Sequence, residues 1–205
     1  IISIVEKLAL AHHNISFKLL IDDKIKLNLI KTSDKVDRIR DIFGKDVAEN
    51  VIPFAYQNNF FKIYGWTSNS QYFEKSRNNY YSFVNDRNIV SKVIIGAVNE
   101  AYKENIVKSR YPISFIFLDM SGEFFDVNVH PQKTEIKFLN EPSIFSIVRE
   151  TVFFALKNKD SEKVFNINKN DNVIEEKNVE IKREDNIEKK DYVLDNKKEK
   201  RIFSE

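Results

Sequence analysis

Lys133 has the sequence context that is best suited to chemistry in this chain. It lies in segment 126–138, DVNVHPQKTEIKF, between two runs in which apolar and polar residues alternate as in β-strands. Pro131 has no amide hydrogen and restricts His130 before it, so the first run must end there. The alternating apolar residues are Val127, Val129, Ile136 and Phe138. The pattern therefore predicts a lysine at the tip of a short, stiff turn.

A fixed ammonium group at a turn tip suits an anionic ligand such as a phosphate. A solvated turn lysine is the more common arrangement, because most lysines lie on the protein surface. From the residues alone, both interpretations of Lys133 stay open.

The chain up to residue 157 supplies the elements that must position this turn. Apolar spacing predicts helices at 4–13, 34–43, 90–102 and from Pro142 to Phe154. Strands are predicted at 15–21, 25–30, 60–66, 80–84 and 113–118, and 124–129 is expected to pair with the last of these across Ser121-Gly122. Together they predict an α+β fold: a mostly antiparallel sheet with helices packed on one side.

Turn and cap residues place the ends of several elements. Asp22-Asp23 and Asn85-Asp86 predict tight turns, Ser33 or Asp34 is expected to cap the second helix, and Gly44 to end it. Ile4, Val5, Leu8 and His12 share the apolar face of the first helix, with Leu10 and Ala11 beside it. The inward faces of the second and last helices are expected to contain Val36, Ile39, Phe43, Ile144, Ile147, Val148, Thr151 and Phe154.

Composition excludes several classes of function. The 205 residues include no cysteine, which excludes disulfides, thiolate metal sites and thiol nucleophiles. His12 and His13 are adjacent without a third ligand nearby, which argues against a zinc site. The sequence has no apolar run of 18 residues and no signal peptide, so we expect a soluble, intracellular (cytoplasmic) protein without membrane contact.

Charge divides the chain into two predicted domains. Residues 158–205 contain 12 Lys or Arg, 13 Asp or Glu and few large apolar side chains, so we expect a disordered charged linker. Residues 1–157 contain the remaining 21 basic and 18 acidic residues and are expected to fold. The only methionine is Met120, and Ile1 lies within an apolar pattern, so we expect the chain to be a piece of a longer polypeptide.

Segment 126–138 resembles the one that closes the amino-terminal half of the MutL family of DNA mismatch-repair ATPases. Three further stretches are similar to that family: LALAHHNISFKLLIDDKIKL at 8–27, RIRDIFGKDVAENVIPF at 38–54 and SRNNYYSFVNDRNI at 76–89. Three residues depart from the family pattern, His13 where proline is usual and Asp23 and Asp86 where glycine is usual. Because aspartate tolerates positive φ, we expect both aspartate turns to survive.

The resemblance implies an S5-like transducer domain at 1–157, named after domain 2 of ribosomal protein S5. It also implies that Lys133 contacts the γ-phosphate of ATP in a preceding domain, supported by Asn128, His130 and Pro131. The parent protein would be a GHKL-type ATPase that uses ATP and Mg²⁺. The family's nucleotide motifs lie before the equivalent of Ile1, so the chain alone is expected to have no catalytic residue, bind no cofactor or metal and hydrolyse no ATP.

The resemblance also implies partners. Arg77, Arg87 and Lys92 flank the aromatic run Tyr80-Tyr81-Ser82-Phe83, and Lys92 falls where the family has a basic residue in a groove for DNA. From the residues alone, Arg77 and Lys92 are more often ordinary surface charges, and Arg87 is an alternative support for the turn after Asn85-Asp86. Non-specific contact with the DNA backbone is expected. The other expected partners are a MutS-type protein and, for the full-length protein, a second copy of itself. This chain alone is expected to be a monomer.

Two alternative functions stay open. The chain could be a stand-alone S5-like nucleic-acid-binding module without an ATP link, or the second domain of a type II topoisomerase subunit.

Overall fold

The chain begins with a helix and a hairpin. The computed structural model describes residues 1–105, 110–126 and 135–158. Helix α1 (Ile2–Ala11) is followed by the antiparallel strands β1 (Phe17–Ile21) and β2 (Lys24–Leu29). Asp22 and Asp23 between the strands have φ values of 51° and 56°. Two consecutive positive φ values are typical of a tight hairpin turn, so the predicted aspartate turn is confirmed.

Helix α2 (Lys35–Phe43) has the predicted cap and the predicted end. The side chain of Asp34 accepts a hydrogen bond of 2.8 Å from the amide of Val36, which satisfies one free amide of the first turn. Gly44 follows with a φ of 90°, a conformation that glycine adopts without strain. A second short helix, α3 (Lys45–Asn50), begins immediately after it and was not predicted.

The centre of the structure is a five-stranded sheet. Its strands are β3 (Val51–Gln57), β4 (Phe61–Ser68), β5 (Tyr80–Val84), β6 (Arg87–Ile89) and β7 (Ser114–Met120). Their order in the sheet is β3-β4-β7-β5-β6, and all neighbours are antiparallel except the parallel pair β5 and β7. Helix α4 (Lys92–Ala101) precedes β7 in the chain. The α+β class and the mostly antiparallel sheet are confirmed.

Both faces of this sheet are buried, because β7 is apolar on both sides. Ile116 and Leu118 belong to one core with α4 and the last helix, α5 (Glu141–Lys157). Phe115 and Phe117, at the alternate positions, belong to a second core with Leu10 of α1, Ile39 of α2 and Val47 of α3. Helices α4 and α5 pack on one side of the sheet, as predicted. The prediction of helices on one side alone was wrong, because α1, α2 and α3 contribute to the core on the opposite face.

The segment after β7 corrects a predicted strand pairing. A 3-10 turn over Gly122–Phe124 leads into β8 (Phe125–Asp126), which pairs with β9 (Lys137–Phe138) and not with β7. The 3-10 turn replaces the tight hairpin turn that the predicted pairing required. The described part of the predicted strand therefore belongs to a separate two-stranded sheet.

Two predicted helix faces also need correction. In α1, Ala9, Leu10 and Ala11 are buried, whereas Ile4 and Leu8 are 64% and 47% exposed. In α5, Ile144, Val148 and Val152 form the buried face of the helix. Phe154 is 58% exposed, because it lies outside that face. No helix of the described residues is long and apolar enough to cross a membrane. Residues 159–205 lie outside the described part, so the linker stays a prediction.

Candidate functional site

The residues predicted to contact a nucleotide phosphate lie outside the described part of the structure. Segment 127–134 contains Asn128, His130, Pro131 and Lys133, and the structure describes the chain up to Asp126 and again from Glu135. Their roles therefore stay predictions. The structure shows instead how the two flanks of this segment are held.

Both flanks of segment 127–134 are joined to the folded core. Phe125 pairs with Phe138 and Asp126 with Lys137 across the β8–β9 ladder. Phe138 is 2% exposed and packs in the core beneath α5, where Ile136 is also buried. The ladder pairs the two flanks with each other, and the burial of Ile136 and Phe138 fixes one of them to the core. The buried Ile136 and Phe138 agree with the predicted alternation, whereas Val127 and Val129 lie outside the described residues.

One flank is also paired with the edge of the central sheet. Glu135 forms a parallel bridge with Val90, which lies between the end of β6 and the start of α4. Arg87 opens β6 and Lys92 opens α4. The backbone that leads out of segment 127–134 is therefore hydrogen-bonded beside the two basic residues that were predicted to contact DNA.

Arg87 and Lys92 are exposed on this edge. Arg87 lies opposite Val84 after the turn Asn85-Asp86, whose φ values of 48° and 62° confirm the second predicted aspartate turn. Lys92 follows Ser91, whose hydroxyl accepts a hydrogen bond of 3.3 Å from the amide of Ile94. Among the described residues, neither cation forms an ion pair. We name this surface, defined by Arg87 and Lys92, the β6 edge.

Arg77 and Arg87 lie at opposite ends of β5, so these two predicted DNA contacts are not adjacent. Arg77 precedes Tyr80 at the start of β5, whereas Arg87 follows the turn at the other end of that strand. The strand between them spans about 13 Å at 3.3 Å per residue. The guanidinium of Arg77 lies 5.3 Å from the centre of the Tyr111 ring.

The aromatic residues of β5 are packing residues. The ring of Tyr81 stacks on Phe115 with centroids 5.2 Å apart, and Phe83 stacks on Phe117 at 4.8 Å. The hydroxyl of Tyr80 donates to the side chain of Asn99, and burial raises the pKa of Tyr80 to about 12. These rings are engaged within the protein, so the described geometry assigns them no base-stacking role.

Sequence reasoning missed a buried cation on α2. Arg38 is fully buried, and its Nη2 donates hydrogen bonds of 2.9 Å to the carbonyls of His13, Ile15 and Ile30. Burial lowers the pKa of Arg38, with Asp41 acting weakly in the opposite direction. Nothing in the sequence indicated this, because arginine is normally exposed and its three acceptors are backbone groups. The guanidinium joins α2 to both ends of the hairpin.

Lys35 is a second α2 cation with a backbone partner. Its Nζ donates to the carbonyl of Ala11 at 3.0 Å and lies 4.3 Å from the centre of the Phe117 ring. Burial lowers the pKa of Lys35, and the charges of Asp86 and Asp119 partly oppose the shift. The end of a helix favours a cation near its free carbonyls. Lys35 therefore stabilises the junction between α1 and α2.

Asp119 lies near Lys35, at the end of β7. Desolvation raises the pKa of Asp119, as does the charge of Asp86, while Lys62 and Lys35 oppose the shift. Two carboxylates near two lysines could suggest a cation site. However, no group of three or more metal-binding side chains occurs within residues 1–105, 110–126 and 135–158. The described cluster is thus a set of partly compensated charges.

Comparison with known proteins decides which family this arrangement represents. The model of the family described as "DNA mismatch repair protein, C-terminal domain" matches residues 39–157. The chain belongs to this family. The matched region begins in α2 and ends with α5, so it includes the central sheet, both flanks of segment 127–134 and the β6 edge. The resemblance to MutL that the sequence motifs indicated is confirmed.

Curated relatives agree with this assignment. The DNA mismatch repair protein MutL of Clostridium acetobutylicum is 42% identical over 163 residues, which cover 78% of this chain and 26% of the relative. MutL of Clostridium tetani is 40% identical over 145 residues, which cover 71% of this chain and 23% of the relative. The chain thus spans about a quarter of the length of these relatives.

Solved structures support the fold. A crystal structure of the amino-terminal domain of a DNA repair protein has a TM-score of 0.63 at 18% identity and covers 78% of this chain and 53% of that one. A variant of the Aquifex aeolicus MutL ATPase domain has a TM-score of 0.51 at 14% identity and covers 74% of this chain and 49% of that one. The S5-like mixed fold that the resemblance implied is confirmed.

Proposed function

We propose that this chain is the transducer domain of a MutL-type mismatch-repair ATPase. It couples ATP binding in a preceding domain, through Lys133, to DNA binding at the β6 edge and to signalling with partners. The observation that carries the proposal is the bridge between Glu135 and Val90. It joins the flank of the lysine segment to the backbone between Arg87 and Lys92, so a displacement of one is transmitted to the other.

Lys133 supplies the link to the nucleotide. Its ammonium group contacts the γ-phosphate and stabilises the charge that develops there when the phosphoryl group is transferred. Mg²⁺ would supply further charge stabilisation at the phosphates, held by residues of the preceding domain. Lys133 does not act as a general base in this scheme. It is a phosphate contact that this chain contributes to the nucleotide site of the preceding domain. The chain by itself hydrolyses no ATP and is catalytic only as part of a GHKL-type ATPase.

The fit of ATP to this chain rests on the chemistry of segment 127–134. A lysine beside the histidine-proline stop offers one point charge for a phosphate, and the described flanks are paired with each other. No group of three or more metal-binding side chains occurs within the described ranges. We place the nucleotide site in the preceding domain, because the resemblance puts the family's nucleotide motifs before the equivalent of Ile1.

The β6 edge contacts the DNA backbone. Arg87 and Lys92 are exposed cations on a fixed strand and helix start, which suits contact with phosphates and does not read bases. The partners of the full-length protein are DNA, a MutS-type mismatch-recognition protein and a second copy of itself. The isolated chain is a monomer, and its location is the cytoplasm.

Measured ATP turnover tests the phosphate contact of Lys133. In the full-length protein that contains this chain, we expect Lys133→Ala to lower kcat by about tenfold or more, because a cation at the transferred phosphate is lost. Lys137→Ala is the matched control, since Lys137 is an exposed lysine four residues away in β9. Circular dichroism verifies that both variants fold.

Unchanged turnover in Lys133→Ala would contradict the proposal. The segment would then be only structural. In that case the stand-alone S5-like nucleic-acid-binding module would become the better interpretation, because the exposed cations of the β6 edge do not depend on a nucleotide.

A further inference from the structure

The side chain of Asn85 takes the place of a strand residue beside the end of β7. Its Oδ1 accepts a hydrogen bond of 3.0 Å from the amide of Met120, and its Nδ2 donates one of 2.9 Å to the carbonyl of the same residue. The amide of Asn85 also donates to the carbonyl of Leu118 at 2.9 Å. The ladder between β5 and β7 ends where Val84 pairs with Leu118. Asn85 therefore extends the pairing of β7 as far as Met120 through its side chain.

This double contact requires the carboxamide of asparagine. A carboxamide has both donors and an acceptor, whereas an ionised carboxylate only accepts. Asn85 has a φ of 48°, a left-handed conformation that asparagine and aspartate tolerate better than most residues. Its neighbour Asp86, with a φ of 62°, meets the same requirement of the turn. The turn alone thus does not explain an asparagine at position 85, and the two hydrogen bonds to Met120 do.

Met120 lies at the start of the chain that leads to segment 127–134. It is 7% exposed and belongs to the core that also contains Ile136 and Phe138 of the opposite flank. The hydrogen-bonded 3-10 turn at Gly122–Phe124 follows, and β8 begins directly after it. Because so short a stretch separates Met120 from β8, the position of Met120 limits where β8 can begin.

The two flanks of segment 127–134 are therefore joined to the β6 edge by separate contacts. Asn85 opens the turn that leads to Arg87 and holds the end of β7, from which the flank before the segment departs. The bridge between Glu135 and Val90 holds the flank after the segment. The two contacts lie on either side of Arg87 in the chain, so a movement of both flanks displaces the backbone that carries this cation.

We propose that Asn85 is a positioning residue for nucleotide-dependent DNA binding, which couples β8 to the β6 edge. The role assigned to Asn85 rests on the proposed function, in which Lys133 reports bound ATP to this domain. Asn85 contacts neither ligand and acts through Met120. Hydrogen bonds are directional, so this pair resists sliding of β7 along the β5–β6 turn. Their removal leaves the exposed cations in place and loosens their connection to β8.

The variant Asn85→Gly removes both hydrogen bonds without straining the turn, because glycine adopts a positive φ freely. In the full-length protein that contains this chain, the ratio of the affinities for duplex DNA with and without a non-hydrolysable ATP analogue measures the coupling. We expect Asn85→Gly to bring this ratio closer to 1 by about threefold or more. Its DNA affinity without nucleotide should match that of the wild type, since Arg87 and Lys92 are retained.

Asp86→Gly is the matched control. It introduces glycine at the next position of the turn, where φ is also positive, and keeps the side chain of Asn85. We expect it to retain the wild-type ratio. Hydrogen exchange in peptides that cover Met120 checks the contact directly, and this amide should exchange faster in Asn85→Gly than in Asp86→Gly. Equal exchange in the two variants would show that Asn85 does not hold β7 and would overturn its role.

A second variant guards against a folding defect. Asn85→Asp keeps the shape of the side chain and tolerates the positive φ, but it replaces the Nδ2 donor by an acceptor. We expect it to lose coupling as Asn85→Gly does, at a temperature where thermal unfolding shows both variants to be folded. A wild-type ratio in Asn85→Asp would mean that the hydrogen bond to the Met120 carbonyl is not needed, which contradicts the proposed role.

The response of Lys133→Ala separates a failure of this role from a failure of the proposed function. A wild-type protein whose DNA affinity ignores the analogue, or a Lys133→Ala variant that responds as the wild type does, overturns both. If Lys133→Ala loses coupling and Asn85→Gly keeps it, the proposed function stands and the role of Asn85 is wrong. Loss of coupling in both variants, with Asp86→Gly unchanged, is the result that we expect.

Discussion

The cations of α2 and those of the β6 edge differ in what surrounds them. Arg38 is fully buried, and one of its nitrogens contacts three backbone carbonyls. Arg87 and Lys92 are exposed and have no ionic partner among the described residues. All three are basic residues. Arg38 donates hydrogen bonds to backbone carbonyls inside the protein, whereas Arg87 and Lys92 leave their donors available to a ligand.

This difference shows how a cation's role can be assigned in this fold. A buried guanidinium is costly unless its hydrogen bonds hold elements that would otherwise separate. Nη2 of Arg38 meets that condition, since its acceptors lie after α1 and after β2, whereas Nε and Nη1 have no hydrogen-bond partner among the described residues. We therefore expect substitutions on α2 to change stability and substitutions on the β6 edge to change binding.

The largest effect is expected for Arg38. Arg38→Met should lower the free energy of unfolding by about 2–4 kcal/mol, because three partly buried backbone carbonyls lose a charged donor. Arg40→Met is the matched control on the same helix, where Arg40 is exposed and pairs with Asp37 at 2.6 Å. Its effect should stay below about 0.5 kcal/mol. Urea unfolding measures both, and equal losses would contradict the assigned role of Arg38.

A smaller effect is expected for Lys35, whose pKa is lowered by burial. Lys35→Met should change the free energy of unfolding at neutral pH by less than about 1 kcal/mol, since the lost contact with Phe117 is offset by removing a desolvated charge. The unfolded chain binds this proton more tightly, so wild-type stability should rise relative to the variant as pH increases toward the unfolded value of 10.5. A difference that does not change with pH would show that Lys35 is not desolvated.

The smallest effect is expected for Asp119, whose pKa is raised by desolvation and by Asp86. Because its side chain is exposed, Asp119→Asn should stabilise the fold at neutral pH by only a few tenths of a kcal/mol. The folded state binds this proton more tightly, so wild-type stability relative to the variant should fall as pH rises above 3.8 and then level off. Thermal unfolding across that range measures it, and a destabilised variant at neutral pH would contradict the assignment.

Local sequence signals predicted much of the fold. The aspartate turns, the Asp34 cap, the Gly44 end and the buried strand β7 are confirmed, because each depends on neighbouring residues. Strand β3 was missed because Pro53 interrupts its pattern, and an edge strand can accommodate a proline. The pairing of β8 was wrong because a partner in another segment determines it.

The candidate site was less accessible to sequence reasoning. The motif around Lys133 indicated the family, which the comparisons confirm, while the role of Lys133 stays a prediction. Arg77, Arg87 and Lys92 are close in sequence, yet the β5–β6 hairpin places Arg77 and Arg87 at opposite ends of one strand. The burial of Arg38 depends on carbonyls up to 25 residues away, which no local pattern encodes.

The central claim is that Lys133 couples nucleotide binding to the DNA-facing surface. The most direct measurement is the affinity of the full-length protein for duplex DNA with and without a non-hydrolysable ATP analogue, compared with Lys133→Ala at matched salt. Coupling between two sites is a difference in free energy between their states, so it can be read from either ligand. We expect the analogue to change the affinity of the wild type and of Lys137→Ala, and to leave that of Lys133→Ala unchanged. A Lys133→Ala protein that responds to the analogue as fully as the wild type would contradict the account.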